Sequence, residues 1–166
     1  MYRSDDGAGS WQPVGLPPGT GWPNALAVDP IDPRRLYLAC WPEEAGGRPQ
    51  GGGLLSSVDA GASWERRFDG STHAYGVSVG ADGTIHLSTF DGRTWRSKDG
   101  GRKWAALEGI RFKWQKTVQP DPRDPSRIFV STFGAGLWWG PARGHVGRGG
   151  PRFRVAALDV APGGVP

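Results

Sequence analysis

Short apolar and aromatic runs recur along the chain, separated by clusters of Gly, Pro, Asp and Ser. "NALAVDPIDP" at 24–33, "YGVSVGADG" at 75–83 and "KTVQPDPRDP" at 116–125 each read as an apolar run entering an Asp/Pro/Gly turn. A second run follows each: "RRLYLACW" at 34–41, "GTIHLSTF" at 83–90 and "SRIFVSTF" at 126–133. A third comes after a Gly-containing loop: "GLLSSVD" at 53–59, "RTWRSKD" at 93–99 and "GLWWGPA" at 136–142. Two of these third runs flow into a shared string, "SVDAGASW" at 57–64 and "SKDGGRKW" at 97–104, and a near copy, "SDDGAGSW", stands at 4–11. A fourth run opens at the closing tryptophan. Each run is about five residues long with turn chemistry at both ends, which predicts strands. Helical periodicity is nearly absent.

The unit therefore has four strands and repeats at intervals of about 40 to 50 residues, the signature of a β-propeller blade. The expected fold is all-β: a partial propeller of about three and a half four-stranded antiparallel blades. Residues 1–16 supply a half blade of two outer strands. Residues 22–68, 73–108 and 114–158 supply full blades, the last without the Ser/Asp string, and 159–166 form a tail. About four to eight blades are needed for closure. The expectation is thus the C-terminal part of a larger propeller, with the remaining blades in a longer chain; an independent small β-domain is the alternative.

Within the repeated string, Gly61 and Gly101 supply the positive φ that a tight hairpin needs. Asp59 and Asp99 can accept bonds from the turn's own N–H groups, and Ser57 and Ser97 can do the same at the strand end. Trp64 and Trp104 open the fourth strand and can cover the turn. In the first copy, Ser4, Asp6 and Trp11 keep their places but Ala8 stands where glycine belongs, so a slightly altered turn is expected there. An aspartate that recurs at the same place in successive units reads as scaffold. Single carboxylates spaced this way make a poor calcium cage.

Composition narrows the functional classes. Gly 28 and Pro 15 are interleaved with aromatic and β-branched runs, which favours turns over disorder. The net charge of +4 is spread thinly, and the one basic run, Arg143, Arg148, Arg152 and Arg154, reads as a solvated loop. A nucleic-acid partner would want a denser basic face, so none is expected. A single cysteine, Cys40, rules out an internal disulfide. No apolar run is long enough to span a membrane, and the N-terminus carries no signal peptide. No Ser/His/Asp set, metal-spaced His/Cys cluster or phosphate-cradling loop is present, so no cofactor and no metal is expected.

The pattern S-x-D-x-G-x-[ST]-W resembles the Asp box, or bacterial neuraminidase repeat. The fuller stretch "AVDPIDPRRLYLACW" leading to "SVDAGASWERR" resembles the repeats of Asp-box propellers. These include sialidases, xyloglucan-cleaving two-propeller glycosidases, the sortilin-type luminal domain and a photosystem assembly factor. The resemblance implies an extracellular or periplasmic location. It also implies ligand binding around the axis on the face opposite the Asp boxes.

On that face the repeat aligns Trp22, His73 and Trp114 at one position and Asn24, Tyr75 and Lys116 two residues on. These are the candidate ligand-binding residues, suited to a carbohydrate or a peptide. Trp41, Phe90 and Phe133 recur in register and read as packing between blades, and His86, equivalent to Tyr37 and Phe129, reads as packing too. Arg93, Arg111 and Lys113 add positive charge. Glycosidase chemistry needs two carboxylates flanking the bond. Glu43, Glu44, Asp69, Asp91 and Glu108 are available, with Asp91 in "TFDGRTW" the best single candidate and Glu43 and Glu44 next. A sialidase's arginine triad cannot be assembled. Three readings follow: a binding and interaction scaffold of a larger carbohydrate-associated protein, part of a sialidase-like or xyloglucanase-like glycoside hydrolase, and a sortilin-like peptide-binding or assembly-factor propeller.

Overall fold

The computed structural model describes residues 1–110, 115–134, 136–144 and 152–155. Sixteen strands and no helix are present among them. β1 (Tyr2–Arg3) and β2 (Gln12–Pro13) form a two-stranded hairpin. The first four-stranded blade is β3 (Trp22–Val28), β4 (Leu36–Trp41), β7 (Gly53–Ser57) and β8 (Glu65–Arg66). The second is β9 (Ala74–Val79), β10 (Ile85–Thr89), β11 (Thr94–Ser97) and β12 (Ala105–Ala106). The third is β13 (Gln115–Pro120), β14 (Arg127–Thr132), β15 (Leu137–Pro141) and β16 (Arg154–Val155). Every pairing is antiparallel and each blade is a simple meander.

One element departs from the sequence reading. The stretch after Trp41, expected as a loop, is a further hairpin of β5 (Glu43–Ala45) and β6 (Arg48–Gln50). Gly46 and Gly47 both take positive φ, 62° and 75°, so two residues suffice to reverse the chain. That geometry matches the right-handed twist of the flanking strands.

The blades stack face to face, and the two interfaces differ in character. Between the first and second, Tyr37, Ala39, Leu54, Ala74, Ile85 and Leu87 form a buried apolar cluster, with Val77, Val79 and Trp95 against it. Between the second and third, an apolar cluster of Leu107, Val118, Ile128, Val130 and Ala142 is joined by polar groups of the second blade that bond to the inner strand of the third. Ser78 Oγ donates to the Val118 carbonyl, Ser88 Oγ to that of Lys116 at 3.0 Å, and Thr94 Oγ1 to Gln115 Oε1. Gln115 Nε2 in turn donates to the Gly92 carbonyl at 2.6 Å. Gly76 lets the strands approach: a Cβ there would lie 2.6 Å from the Lys116 carbonyl oxygen. A third cluster of Leu38, Cys40 and Leu55, with Leu16 and Trp64, covers the outer part of the first blade's other face. Burial in that cluster pushes the Cys40 thiol up to about 11, which removes it from thiolate chemistry near neutral pH.

Candidate functional site

Strand register sorts the chemistry into two ends. Val28 pairs with Leu36 and Leu36 with Ser57, so the first turn and the repeated Ser/Asp string share one end of the blade. Trp22 pairs with Trp41 and Cys40 with Gly53, so the chain entry and the β5–β6 hairpin share the other. The second blade repeats this, with Ile85 opposite Ser97 at one end and Thr89 opposite Ala74 at the other.

At the Ser/Asp end each aspartate is consumed by its own turn. Asp59 Oδ1 accepts from Ser57 Oγ at 2.7 Å and from the Ser63 N–H at 2.8 Å, and its Oδ2 accepts from Ser63 Oγ. Ser57 Oγ accepts from the Gly61 N–H at 2.8 Å. Asp99 accepts from Ser97 Oγ and the Lys103 N–H, while Ser97 Oγ accepts from the Gly101 N–H. Gly61 and Gly101 take φ of 89° and 86°. The first copy is a correction to the sequence reading: its turn is not altered. Ala8 itself takes φ 73°, its N–H donates to Ser4 Oγ at 2.8 Å, and Asp6 accepts from Ser10 as Asp59 does from Ser63. The side-chain bonds hold even alanine in the left-handed region. These donors keep Asp6 and Asp59 at about 2, with hydrogen bonds from Ser10 and Ser63 as the leading cause. Trp64 Nε1 donates to the Gly61 carbonyl, and Trp104 Nε1 to those of Arg67 and Gly101, so Trp104 ties the second blade to the first. Trp11 is exposed.

At the other end the structure assembles an aromatic ladder across all three blades. Trp41 meets His73 at 5.4 Å between ring centroids, Tyr75 at 4.9 Å and Phe90 at 6.4 Å, all edge to face. Tyr75 then meets Phe133 at 5.4 Å, and Lys116 Nζ lies 5.6 Å over the Phe133 ring. Edge-to-face pairs of this kind add about 0.5–1.5 kcal/mol each beyond area burial. The ladder is not closed to solvent: Phe90 is 47% exposed and Phe133 46%, and Trp22, opposite Trp41 in the strand register but outside the ladder, is 67% exposed. Asn24 Nδ2 donates to the Tyr75 carbonyl at 2.6 Å, bracing the first blade against the second. Beneath the ladder, the Trp41 indole N–H is buried with no acceptor among the described residues. A donor so placed costs about 1–3 kcal/mol.

The acidic candidates share this end. Asp91 is held by its turn: Thr89 Oγ1 and the Arg93 N–H donate to Oδ1, and Arg93 Nε lies 3.5 Å from Oδ2. Glu43 and Glu44 are exposed on β5, opposite Gln50 and Pro49, and neither forms an ion pair among the described residues. Asp69 caps its own turn through Ser71. Trp114, Arg111, Lys113, Arg148 and the tail 159–166 lie outside the described residues. Among the described residues no three of His, Cys, Asp and Glu converge as a metal site.

Two polar residues gain a role that sequence reasoning missed. Gln115 is fully buried and bridges Thr94 to Gly92. His86 is 2% exposed, and among the described residues neither ring nitrogen makes a well-formed hydrogen bond. Burial pushes its imidazole down to about 4, a push that Asp82 opposes and Arg96 reinforces; the Ala142 backbone alongside opposes it too. No sequence signal separated His86 from its strand equivalents Tyr37 and Phe129.

With that geometry in place, comparison with known proteins decides the architecture. No protein-family profile matches the chain. A xyloglucanase from a Paenibacillus species is 28% identical over 186 aligned residues, covering 96% of this chain and 17% of that protein. Among solved structures, the GH74 xyloglucanase from Xanthomonas campestris superimposes with a TM-score of 0.70 at 23% identity, covering 92% of this chain and 25% of that one. The fold is that of β-propeller blades. YCF48 from Cyanidioschyzon merolae shares it, with a TM-score of 0.62 at 18% identity over 82% of this chain and 38% of that one. The present chain therefore spans only a fraction of each protein it resembles. Among the described residues no helix is long and apolar enough to cross a membrane.

Proposed function

We propose that this propeller segment is a carbohydrate-binding scaffold, and that its aromatic end takes a β-glucan of the xyloglucan type. The observation that carries the reading is the ladder from Trp41 through His73, Tyr75 and Phe90 to Phe133, with its outer rings half exposed. Sugar rings stack on such platforms through their axial C–H groups, and a few polar groups then fix orientation. Lys116, exposed beside Phe133, is suited to hydroxyl groups. The xyloglucanase names of the relatives support the same ligand class. In this reading the Ser/Asp strings are Asp boxes with a structural role, and the protein acts outside the cell. Further blades cover the apolar face on which Leu26 and Val28 are each 51% exposed.

A second reading, glycoside hydrolysis, is favoured by the same relatives and by the presence of Asp91, Glu43 and Glu44 at the ladder end. Asp91 enters it as the candidate acid or base, and one of the two glutamates as its partner.

One set of titrations tests both. Xyloglucan heptasaccharide added to the 166-residue chain is expected to quench tryptophan fluorescence saturably. Trp22→Ala and Phe133→Ala are each expected to weaken binding about tenfold, the loss of one stacking platform. Absence of saturable binding removes the carbohydrate reading. Release of reducing sugar that disappears in Asp91→Asn selects the hydrolase reading over the scaffold.

A further inference from the structure

A cavity of about 520 Å³ opens between the second and third blades at the Ser/Asp end, away from the aromatic ladder. Its size suits a small ligand. The β9–β10 turn, the β13–β14 turn and the segment following β15 form its walls. Pro120, Pro125, Pro141 and Ala142 make one side apolar. His86 and Arg96, directly opposite each other on β10 and β11, line the other. Both stand on the face of the second blade whose Ser78 reaches across to Val118.

Charge separates this cavity from its counterpart one blade earlier. Between the first and second blades, Asp29, Asp32, Asp82 and Asp99 face Arg35, Arg67, Lys98 and Arg102, four against four, and Tyr37 stands at the position of His86. Between the second and third, Arg96, Lys98 and Arg143 outnumber Asp82 and Asp121. Both of those aspartates are already engaged. Asp82 accepts from the N–H and Oγ1 of Thr84, and Asp121 accepts from the Arg123 N–H and pairs with Arg127. Among the described residues none of the three cations makes an ion pair. Buried polar groups are ordinarily satisfied, yet among the described residues neither His86 nitrogen makes a well-formed hydrogen bond, so its single N–H, set beside the Ala142 carbonyl and this cationic rim, is open to a stronger acceptor.

We propose that this inter-blade cavity binds a small oxyanion, a phosphate ester or a carboxylate carried on a compact organic body. His86 serves as donor at its floor and Arg96, Lys98 and Arg143 hold the charge at its rim. Charge-assisted bonds from a guanidinium are the strong ones, and Arg96, half-buried, is the best placed to make them. The apolar wall takes the organic body. This site is independent of the carbohydrate reading, because it lies at the opposite end of the blades.

The test follows the imidazole nitrogens by long-range ¹H–¹⁵N spectra of the 166-residue chain at low ionic strength. Inorganic phosphate, glucuronate and glucose are titrated separately. At least one anion is expected to shift the His86 signals saturably, while glucose does not and the His73 signals stay in place. Whichever anion binds more tightly names the ligand source. Lys98→Gln combined with Arg143→Gln changes two exposed residues, so the fold is retained, as a melting curve checks. The pair is expected to weaken binding at least about tenfold. The proposal is overturned if neither anion gives a saturable His86 shift, if His73 moves in parallel, or if the double variant binds as tightly as the parent chain.

Discussion

Individual residues at the Ser/Asp end show how little local sequence is needed to hold a turn. Ser57 is buried, donates to Asp59 and accepts from Gly61. Ser57→Ala leaves that N–H unsatisfied, and chemical denaturation is expected to show a loss of about 1–3 kcal/mol. The roles of Ser57, Asp59 and Gly61 were legible because they recur at fixed spacing. That of Ala8 was misjudged because its propensity opposes the φ that two side-chain bonds impose. Acid stability should decline in two stages. His86 is held at about 4, below its ordinary 6.5, so the unfolded chain binds the extra proton in that window. Its contribution is present above pH 6.5 and is lost as pH falls toward 4. Asp6 and Asp59, held at about 2 against an ordinary 3.8, contribute above pH 4 and lose that contribution as pH falls toward 2. Melting temperature measured from pH 8 to 2 should show both stages. His86→Leu should remove the upper one and leave the lower; an unchanged upper stage would show that other groups cause it.

At the scale of elements, the stacking of blades rests on close backbone approach as much as on apolar burial. Gly76 faces the Lys116 carbonyl across the second interface. Gly76→Ala forces the two inner strands apart, and the denaturant midpoint is expected to fall by the equivalent of about 1–3 kcal/mol. A midpoint within error of the parent would mean that β13 shifts freely, contrary to the bonds from Ser78 and Ser88. The strands themselves were readable from alternation and turn residues. The β5–β6 hairpin was hidden by its content: Glu43, Glu44 and Arg48 are exposed on a sheet that buries nothing, so no apolar period marked it. Its Gly46–Gly47 turn was the available signal. The polar bonds across the second interface were also invisible, because serine, threonine and glutamine on a strand read as solvent-facing until a second sheet covers them.

For the whole molecule, the two outer faces of the stack are unlike. The first blade presents Leu26 and Val28 to solvent, whereas the third carries the half-buried Phe129 and Trp139 with Arg127 stacked over both rings. Leu26→Lys with Val28→Lys is expected to reduce self-association in sedimentation while moving stability by no more than about 0.5 kcal/mol, since neither side chain is buried. A larger loss would show that this face is covered in solution. The chain by itself determined the repeat, the strand order within each blade and the hairpin chemistry of the Ser/Asp string, because these depend on contacts within some 40 to 50 residues and on propensities that repeat with them. The repeat alignment also put the aromatic residues at the end opposite the Ser/Asp strings; only the tertiary structure showed which rings touch and that a cavity with a cationic rim lies at the other end. The contacts of Tyr75 with Trp41 and Phe133, the buried Gln115 bridge and the burial of His86 arise where different blades meet, and periodicity along one chain does not encode which group its neighbouring sheet places opposite.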